Sequence, residues 1–525
     1  MWSPNQEYRP ESMKIVWEVA PYLRGYGADI GAGMFKVLPQ AVSIDNGNHE
    51  MFNHHIDPNI KVQSADHLPM LADKCFNWVY SSHLLEHMED PLKALKEWWR
   101  VLDVGGVMVL YLPHDELYPT IGSKLGNPDH KHDLNEQKVI DWMLRVGGWD
   151  LERCEKRDKD EEYSFLMVFK KLQGNKHHYS HKGLRPEKTA CIVRYGAFGD
   201  MIQSSTVAHA LKKQGYHITM FCSAPGSDVI MHDPNIDKIV LFEKDQVPNA
   251  DLGSFWGWQK KNFDKFVNLS ESVEASLLAM PGRTAHEWAP QARHMLMNHN
   301  YLEMTHKIAA VPHDPQVKFY ATPDEKAWAK KQRLSMKEKM VVMWSLAGSS
   351  VHKTWAGLDN VMASMLIRFP DTAIMLVGGP ECEMLEAGWE NEPRVYRCCG
   401  KMTIRQSLAM LDHVDLLVGP ETGVMNAACC MDMAKLVFLS HSTHENLTRD
   451  WKNNVIPMWS KNTSCPGRGN NEVPACHQLH FGFTYCKRHE ETGTAQCMAD
   501  ITVGQVWELV EVEMDRIIND KLKAA

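Results

Sequence analysis

The sequence predicts an α/β protein whose parallel sheets are built from repeated strand–turn–helix units. Three stretches carry this prediction, at residues 27–45, 190–214 and 414–440. In each, an apolar run typical of a buried strand leads into a glycine-containing turn. In the latter two, a helix with regularly spaced apolar residues follows the turn. Strands that alternate with helices in this way form parallel sheets.

Length and composition indicate an intracellular globular protein of several domains. The 525 residues predict roughly three or four compact units. No apolar run reaches the ~20 residues that cross a bilayer, and residues 1–14 lack a secretory pattern. The formal net charge of −9 disfavours a protein that coats nucleic acid. We therefore expect a cytoplasmic protein with no transmembrane segment and no nucleic-acid partner.

Residue placement in the first stretch predicts a nucleotide-type ligand. Gly31 and Gly33 let the loop after the first strand approach a ligand closely. Asp45 ends the second strand, where a carboxylate can accept hydrogen bonds from both ribose hydroxyls. Asp66 ends the next predicted strand and is placed to accept from an adenine amino group. Gly33 and Asp45 are closer in sequence than the ~20 residues of the dinucleotide fingerprint, which disfavours NAD.

Five motifs in order extend this prediction over nearly all of residues 1–170: DIGAG, VSID, SADHLP, NWVYSSHLLEHMEDP and WRVLDVGGVMVLYLP. Together they resemble the class I S-adenosylmethionine-dependent methyltransferases of type 11, with Phe35 in place of the third motif glycine. The resemblance implies S-adenosyl-L-methionine as the cofactor. The residues it implies for the cofactor pocket are Asp29, Gly31, Gly33, Asp45, Asp66 and His83.

A polar loop at residues 127–133 supplies candidates for the methyl-transfer chemistry. His130 or His132 could act as a general base, because unperturbed histidine titrates near neutrality. Metal binding by the His130-x-His132 pair and a merely solvated loop are the alternatives. Glu86 and His87 are expected to cap and pack against the cofactor loop.

The second stretch places an acidic residue at the start of a helix. A predicted strand at 190–193 is followed by the turn at 196–199, then by Asp200 and a helix. Asp200 is either the helix N-cap, a position that aspartate prefers, or a catalytic group. The glycine turn and the helix N-terminus together favour an anionic ligand or developing negative charge.

Four motifs between residues 194 and 428 carry a second resemblance: RYGAFGDMIQSS, SLAGSSVHKTW, LVGGPECEML and GPETGVMNAA. Together they resemble the ADP-heptose:lipopolysaccharide heptosyltransferases of glycosyltransferase family 9. The resemblance implies a GT-B fold of two facing Rossmann-like lobes. It also implies inverting transfer from a nucleotide-activated sugar, in which cationic groups and helix ends stabilise the leaving diphosphate.

The same resemblance assigns roles to individual residues. Asp200 matches the catalytic base, and Lys353 the phosphate-binding lysine. Glu381 matches the nucleoside-binding acid, and Glu421, Thr422 and Gly423 form the donor loop. Glu421 and Asn426 stand where the family usually has Asp and His. The small residues Ser349 and Ser350 allow backbone amides and hydroxyls to face the diphosphate.

The last cysteines suggest a metal site without establishing one. The chain has 13 cysteines, and four lie close together near the C-terminus, at Cys465, Cys476, Cys486 and Cys497. With neighbouring histidines they could bind a structural Zn²⁺ ion, although no C-x₂-C pair is present. Two disulfides, disfavoured by a reducing compartment, and free thiols are the alternatives.

These observations predict a fusion of a Rossmann-like methyltransferase and a GT-B glycosyltransferase. Its expected partners are a nucleotide-sugar donor and a glycan-type acceptor. A different acceptor (a nucleobase or a protein) and a degenerate half that only binds its cofactor are the alternative hypotheses. The predicted order is a methyltransferase domain at 1–172, a linker at 173–187, an acceptor lobe at 188–338, a donor lobe at 339–455, a Cys/His-rich segment at 456–500 and a C-terminal helix at 501–525.

Overall fold

The computed structural model divides the chain into two compact units. One contains Met1–Glu187 and Phe242–Phe263, and the other Lys188–Leu241 and Asp264–Ala525. The residues that the structure describes are 11–49, 54–55, 57–159, 162–180, 188–243, 246–248, 250–270, 299–347, 353–440, 442–452, 455–459 and 488–524.

Helices and strands alternate over much of the chain, as the α/β prediction requires. The helices are α1 (Glu11–Lys14), α2 (Val16–Val19), α3 (Pro91–Val101), α4 (Glu136–Met143), α5 (Phe198–Lys213), α6 (Ala224–Ser227), α7 (Leu252–Lys260), α8 (Tyr301–Ile308), α9 (Pro323–Ser335), α10 (Leu358–Arg368), α11 (Ile404–Met410), α12 (Gly423–Ala427), α13 (Gln496–Ala499) and α14 (Val503–Ala524). The strands are β1 (Gly27–Ile30), β2 (Val42–Asp45), β3 (Asn48–His49), β4 (His54–His55), β5 (Ile60–Lys61), β6 (Phe76–Ser82), β7 (Leu102–Pro113), β8 (Trp149–Arg157), β9 (Ser164–Lys171), β10 (His177–Tyr179), β11 (Thr189–Val193), β12 (His217–Cys222), β13 (Lys238–Leu241), β14 (Lys265–Asn268), β15 (Met340–Ser345), β16 (Thr372–Val377), β17 (Val395–Arg397), β18 (Leu416–Pro420), β19 (Ala434–Leu439) and β20 (Val455–Trp459).

The first unit is organised around a mixed sheet with the strand order β10-β8-β9-β7-β6-β1-β2-β5. Its parallel part places the ends of β1, β2 and β6 side by side, because β1 pairs in parallel with both neighbours. Helix α3 covers this sheet with Leu95 and Trp98, both fully buried. The helix starts where Asp90 accepts a hydrogen bond from the Lys93 amide and Pro91 follows at the first helical position.

Two features of this unit were not predicted. The proposed linker contains β10, which pairs in parallel with β8 at the edge of the sheet. The segment Phe242–Phe263 also belongs to this unit, although its neighbours in sequence, β13 and β14, lie in the other. There Phe255 packs edge-on against Trp17, with 6.1 Å between ring centroids, and Gln246 donates from Nε2 to the Ala20 carbonyl at 2.6 Å.

The second unit contains two parallel sheets, as a GT-B fold requires. Their strand orders are β13-β12-β11-β14 and β17-β16-β15-β18-β19-β20. The central strands β11 and β15 are buried along their whole length. Helix α14 packs on the second sheet's lobe, where Val506, Val510 and Met514 join its core. Among the described residues, no helix is both long enough and apolar enough to cross a membrane.

Candidate active sites

The loop after β1 has a backbone shape that requires glycine. Gly31 has a φ of +78°, and a Cβ added there would lie 2.7 Å from Leu84 Cδ2. Its amide donates to the Ile44 carbonyl at 2.8 Å, and the Gly33 amide donates to Asp45 Oδ2 at 3.0 Å. The glycine loop is therefore held against the end of β2.

The two carboxylates at this sheet edge have different surroundings. Asp45 accepts from the Gly33 amide through Oδ2 and from the Gly47 amide through Oδ1 at 2.9 Å, so it joins the loops after β1 and β2. Asp29 is fully enclosed and accepts from the Val37 amide at 2.6 Å. Burial raises the pKa of Asp29 to about 7. Asp29 thus supports the loop from beneath.

Asp66 and His83, the remaining predicted pocket residues, have different hydrogen-bond and ion-pair partners. Asp66 forms an ion pair with Lys93 at 3.0 Å, and a hydrogen bond from Ser64 together with that lysine lowers its pKa. His83 has a φ of +47°, and its Nε2 lies 3.0 Å from Ser164 Oγ. Burial lowers the pKa of His83 to about 3, so this imidazole is neutral at physiological pH.

The structure separates the two histidines that were predicted as alternative bases. His132 Nε2 lies 3.0 Å from the Met88 carbonyl, and its ring packs edge-on against Trp142. His130 is buried, stacks on Tyr118 with 5.1 Å between ring centroids and turns its Nε2 toward the carboxylate of Glu86. The His130-x-His132 pair therefore does not share one ligand: His132 holds the loop, and His130 faces a separate cluster.

The acidic member of that cluster was not predicted as a functional residue. Glu86 is 0% exposed, and His83 Nδ1, His87 Nε2 and His130 Nε2 lie 3.6, 3.9 and 3.9 Å from its Oε1. The sequence contains a signal for this cluster, because the acid–histidine pair Glu86 and His87 follows shortly after His83. It was interpreted as capping, because sequence alone does not reveal that the loop at 127–133 folds back onto it.

In the second unit, Asp200 is the third residue of α5 and not its N-cap. The N-cap is Ala197, and Asp200 Oδ2 accepts the Ala197 amide hydrogen bond at 3.0 Å. Its other oxygen, Oδ1, lies 3.2 Å from Arg194 Nη2 and 3.3 Å from the Tyr301 hydroxyl. Asp200 therefore helps to cap its own helix and also keeps a carboxylate oxygen in a fixed direction.

Arg194 and Tyr301 are functional candidates that the sequence analysis missed. The Arg194 side chain is only 2% exposed, whereas the Asp200 side chain is 36% exposed. Arg194 Nη2 also donates to the Tyr301 hydroxyl at 3.1 Å. A buried guanidinium that orients an accessible carboxylate is an arrangement suited to a positioned general base.

The start of α5 meets the donor loop of the other lobe. Gln203 Nε2 donates to Asn426 Oδ1 at 2.8 Å. A Cβ at Gly199 would lie 2.3 Å from Asn426 Nδ2, and one at Gly423 would lie 2.8 Å from Phe198 Cβ. Glycine at both positions permits this approach, which brings the turn bearing Asp200 beside the predicted donor-binding turn.

Within the donor loop, Thr422 and Glu421 have anchoring contacts. Thr422 caps α12 by accepting from the Met425 amide at 3.3 Å, and its hydroxyl lies 2.8 Å from Ser345 Oγ. Glu421 is 2% exposed, and its Oε1 accepts from the Ser440 amide at 3.2 Å and hydroxyl at 2.6 Å. The Glu421 carboxylate thus fixes the loop from within the lobe.

The remaining predicted donor-site residues lie around this loop. Lys353 Nζ donates to the Glu421 carbonyl at 2.8 Å, which places its positive charge at the start of the Glu421–Gly423 turn. Glu381 is exposed after β16, at the same edge of the sheet. Ser349 and Ser350 lie outside the described residues.

Three of the four predicted zinc ligands, Cys465, Cys476 and Cys486, also lie outside the described residues. The fourth, Cys497, is half-buried in the short helix α13.

Comparison with known families agrees with this two-part organisation. Residues 18–110 match the methyltransferase domain family, and residues 259–473 match glycosyltransferase family 9 (heptosyltransferase). Both are families of transferases, so the predicted combination of a methyltransferase with a family 9 glycosyltransferase is confirmed. A comparison with curated protein sequences found no match.

Comparison with solved structures returned matches to both halves. A family 9 glycosyltransferase from Veillonella parvula is 12% identical (64% of this chain, 100% of that chain, TM-score 0.45). The ADP-heptose LPS heptosyltransferase II of E. coli is 13% identical (63% and 99%, TM-score 0.44). A SAM-dependent methyltransferase from Thermotoga maritima is 16% identical (30% and 90%, TM-score 0.22). These are distant similarities, and residue roles in this chain depend on its own geometry.

Proposed function

We propose that this two-domain transferase acts on glycan-type acceptors. The second unit transfers a sugar from a nucleotide-activated donor with inversion, and Asp200 is the base. The first unit transfers a methyl group from S-adenosylmethionine to an acceptor hydroxyl. The observation that carries the glycosyl-transfer proposal is the carboxylate of Asp200, fixed by Arg194 and Tyr301 beside the donor loop.

The glycosyl-transfer step follows from these contacts. Asp200 removes the proton from an acceptor hydroxyl, whose oxygen attacks the anomeric carbon as the bond to the diphosphate breaks. A single displacement of this kind inverts the anomeric configuration. Arg194 keeps Asp200 Oδ1 oriented, while Oδ2 stays on the Ala197 amide. The base is thus positioned before the acceptor binds.

The leaving diphosphate requires positive groups on the donor side. Lys353 lies at the Glu421–Gly423 turn and supplies a full positive charge. The turn itself is rigid, because Thr422 is bonded to Ser345 and Glu421 to Ser440. Fixed donors of this kind stabilise developing negative charge without reorganisation.

The loops of the first unit fit an adenosyl cofactor. Gly31 and Gly33 both have a positive φ, and the Gly33 amide is bonded to Asp45, so the glycine loop and the end of β2 lie together where such a cofactor would bind. When bound, S-adenosylmethionine supplies an activated methyl group. In this proposal the carboxylate of Asp45 accepts from the ribose hydroxyls, while neutral His83 lines the pocket.

The variant Asp200→Asn tests the assignment of the base. An asparagine oxygen can still accept the Ala197 amide bond, so the helix start is retained. We expect kcat for donor turnover, measured with ADP-heptose and a panel of other nucleotide sugars, to fall about 10²–10⁴-fold. Donor affinity, measured by calorimetry, should be unchanged.

The matched control is Asp324→Asn, which alters an exposed aspartate in the first turn of α9. It should leave kcat unaffected. Wild-type turnover in Asp200→Asn, or a loss explained entirely by weaker donor binding, would exclude Asp200 as the base.

A further inference from the structure

Glu86 places an acidic side chain in the interior of the first unit. The side chain is fully enclosed, and neither carboxylate oxygen has a hydrogen-bond partner in the part of the chain that the structure describes. Burying an ionised carboxylate is strongly unfavourable unless a cation or hydrogen-bond donors compensate it. The site therefore requires a proton on Glu86 or a positive ion beside it.

Three histidines surround the Glu86 carboxylate. His83, His87 and His130 all direct a ring nitrogen toward it, at 3.6, 3.9 and 3.9 Å from Oε1, which is too far for a hydrogen bond. Imidazole nitrogens are good ligands for transition metals.

The cluster has the arrangement of a metal-binding site. One ligand atom each from Glu86, His87 and His130 lies within 4.8 Å of the other two. Ligands about 2.0–2.2 Å from one ion lie roughly 3–3.6 Å apart, so closure around an ion requires shifts on the order of 1 Å. His87 Nδ1 lies 3.1 Å from the Asp129 carbonyl, a contact that fixes this ring with Nε2 available for the ion.

Backbone contacts hold the two halves of the cluster together. The Lys131 and His132 amides donate to the Glu86 carbonyl at 2.8 and 3.2 Å. His132 adds its contact with the Met88 carbonyl. The loop that carries His130 is therefore fastened onto the short helical turn Leu85–His87, which carries the other two candidate ligands.

We propose that Glu86, His87 and His130 bind one divalent transition-metal ion. Two imidazoles and one carboxylate suit Zn²⁺ or Fe²⁺ better than Mg²⁺ or Ca²⁺, which prefer oxygen ligands. His130 also lines a small cleft with His114, Tyr118 and Asp133, so an open coordination position can face a ligand that enters there.

The site has a consequence for methyl transfer, which rests on the proposed function of the first unit. His83, a predicted residue of the cofactor pocket, lies 3.6 Å from Glu86. An acceptor hydroxyl that reaches the metal would lose its proton more readily, because a bound divalent ion lowers the pKa of coordinated oxygen. The metal site itself does not depend on this role.

The test is metal binding by the full-length chain. The metal-depleted protein is titrated with Co²⁺, and its visible absorption and bound metal are measured. We expect an equivalent of Co²⁺ with nitrogen and oxygen ligation, separate from any thiolate-bound metal at the C-terminal cysteines. Glu86→Gln and His130→Ala should each lower the affinity for that Co²⁺ ion by roughly 100-fold or more. This is the upper end of the losses seen when residues that support metal ligands are altered. The control His178→Ala, an exposed histidine on β10, should bind as the wild type does.

A thermal measurement separates metal binding from a purely structural role of Glu86. Without metal, Glu86→Gln should melt at or above the wild-type temperature, because it removes an unpaired buried carboxylate. Saturating Co²⁺ should raise the melting temperature of the wild type but not of the variant. Equal Co²⁺ binding by wild type, Glu86→Gln and His130→Ala would overturn the proposal. So would a metal-free Glu86→Gln that melts well below the wild type.

Discussion

Asp29 and Asp45 lie at the ends of adjacent parallel strands, yet their surroundings differ. Asp45 accepts from the Gly33 and Gly47 amides and so joins two loops. Asp29 receives one amide bond in a fully enclosed position, where its pKa rises to about 7. The acid of the first strand therefore supports the loop from the interior, whereas the acid of the second strand lies where we propose that the ligand binds.

The raised pKa of Asp29 predicts a pH dependence of stability. Its ordinary pKa of 3.8 applies in the unfolded chain, so the folded state favours the protonated form. The contribution of Asp29 to the stability of the folded state is therefore complete below about pH 4, and it is lost as the pH rises through 7. Relative to Asp29→Asn, the free energy of unfolding of the cofactor-free wild type should fall by on the order of 2–3 kcal/mol between pH 5 and 8. This follows from about 1.4 kcal/mol for each unit of pKa difference. Urea unfolding across that range measures it; a constant difference between the two proteins would contradict the assignment.

Sequence analysis identified residues at turns more readily than the residues that orient them. Asp200, Lys353 and Thr422 lie two to eight residues after the end of a strand and within quoted motifs, so their place near the sheet edges was predictable. Tyr301 approaches Asp200 across 101 positions of sequence. Nothing in its local sequence distinguishes it, because the contact exists only when α8 packs against α5.

At the scale of elements, the strand predicted at 190–193 agrees with β11, Thr189–Val193. Its residues are all buried, so its apolar run carries its own signal. Strand β10 lies at a sheet edge and is mostly exposed, so it has the polar composition of a linker. Helix α7 has an irregular arrangement of aromatic residues, which concealed its helical periodicity.

The contact between α5 and α12 predicts that glycine is required at its centre. In Gly423→Ala the new Cβ would meet Phe198 Cβ at 2.8 Å, an atom next to the backbone that cannot rotate away. We expect a loss of about 1–3 kcal/mol in the free energy of unfolding, as for other overpacked sites. Gly504→Ala is the control, since nothing lies within 4 Å of its new Cβ. It should be neutral or stabilising by up to about 1 kcal/mol. Equal stability of the two variants, measured by urea unfolding, would show that the elements are not closely packed.

At the scale of the whole molecule, the order of the sequence does not coincide with the division into compact units. Phe242 and Phe255 are fully buried in the first unit and stack at 4.8 Å, although they follow the linker by more than fifty residues. Gln259 Nε2 donates to the Trp17 carbonyl at 3.1 Å in the same unit. A prediction that places boundaries by composition assigns this segment to the glycosyltransferase half. Only tertiary packing shows that the segment completes the other unit.

The central claim is that one chain has two separate ligand sites, one for each transferase. Calorimetric titration of the full-length protein with S-adenosylmethionine, and separately with ADP, UDP and GDP, tests it most directly. We expect one equivalent of S-adenosylmethionine and one of a single nucleotide, bound without competition. Asp45→Ala should weaken only the first and Lys353→Ala only the second, each by at least about tenfold in affinity, as expected for a lost charged contact. Competition between the ligands, or loss of both in either variant, would contradict the two-site account.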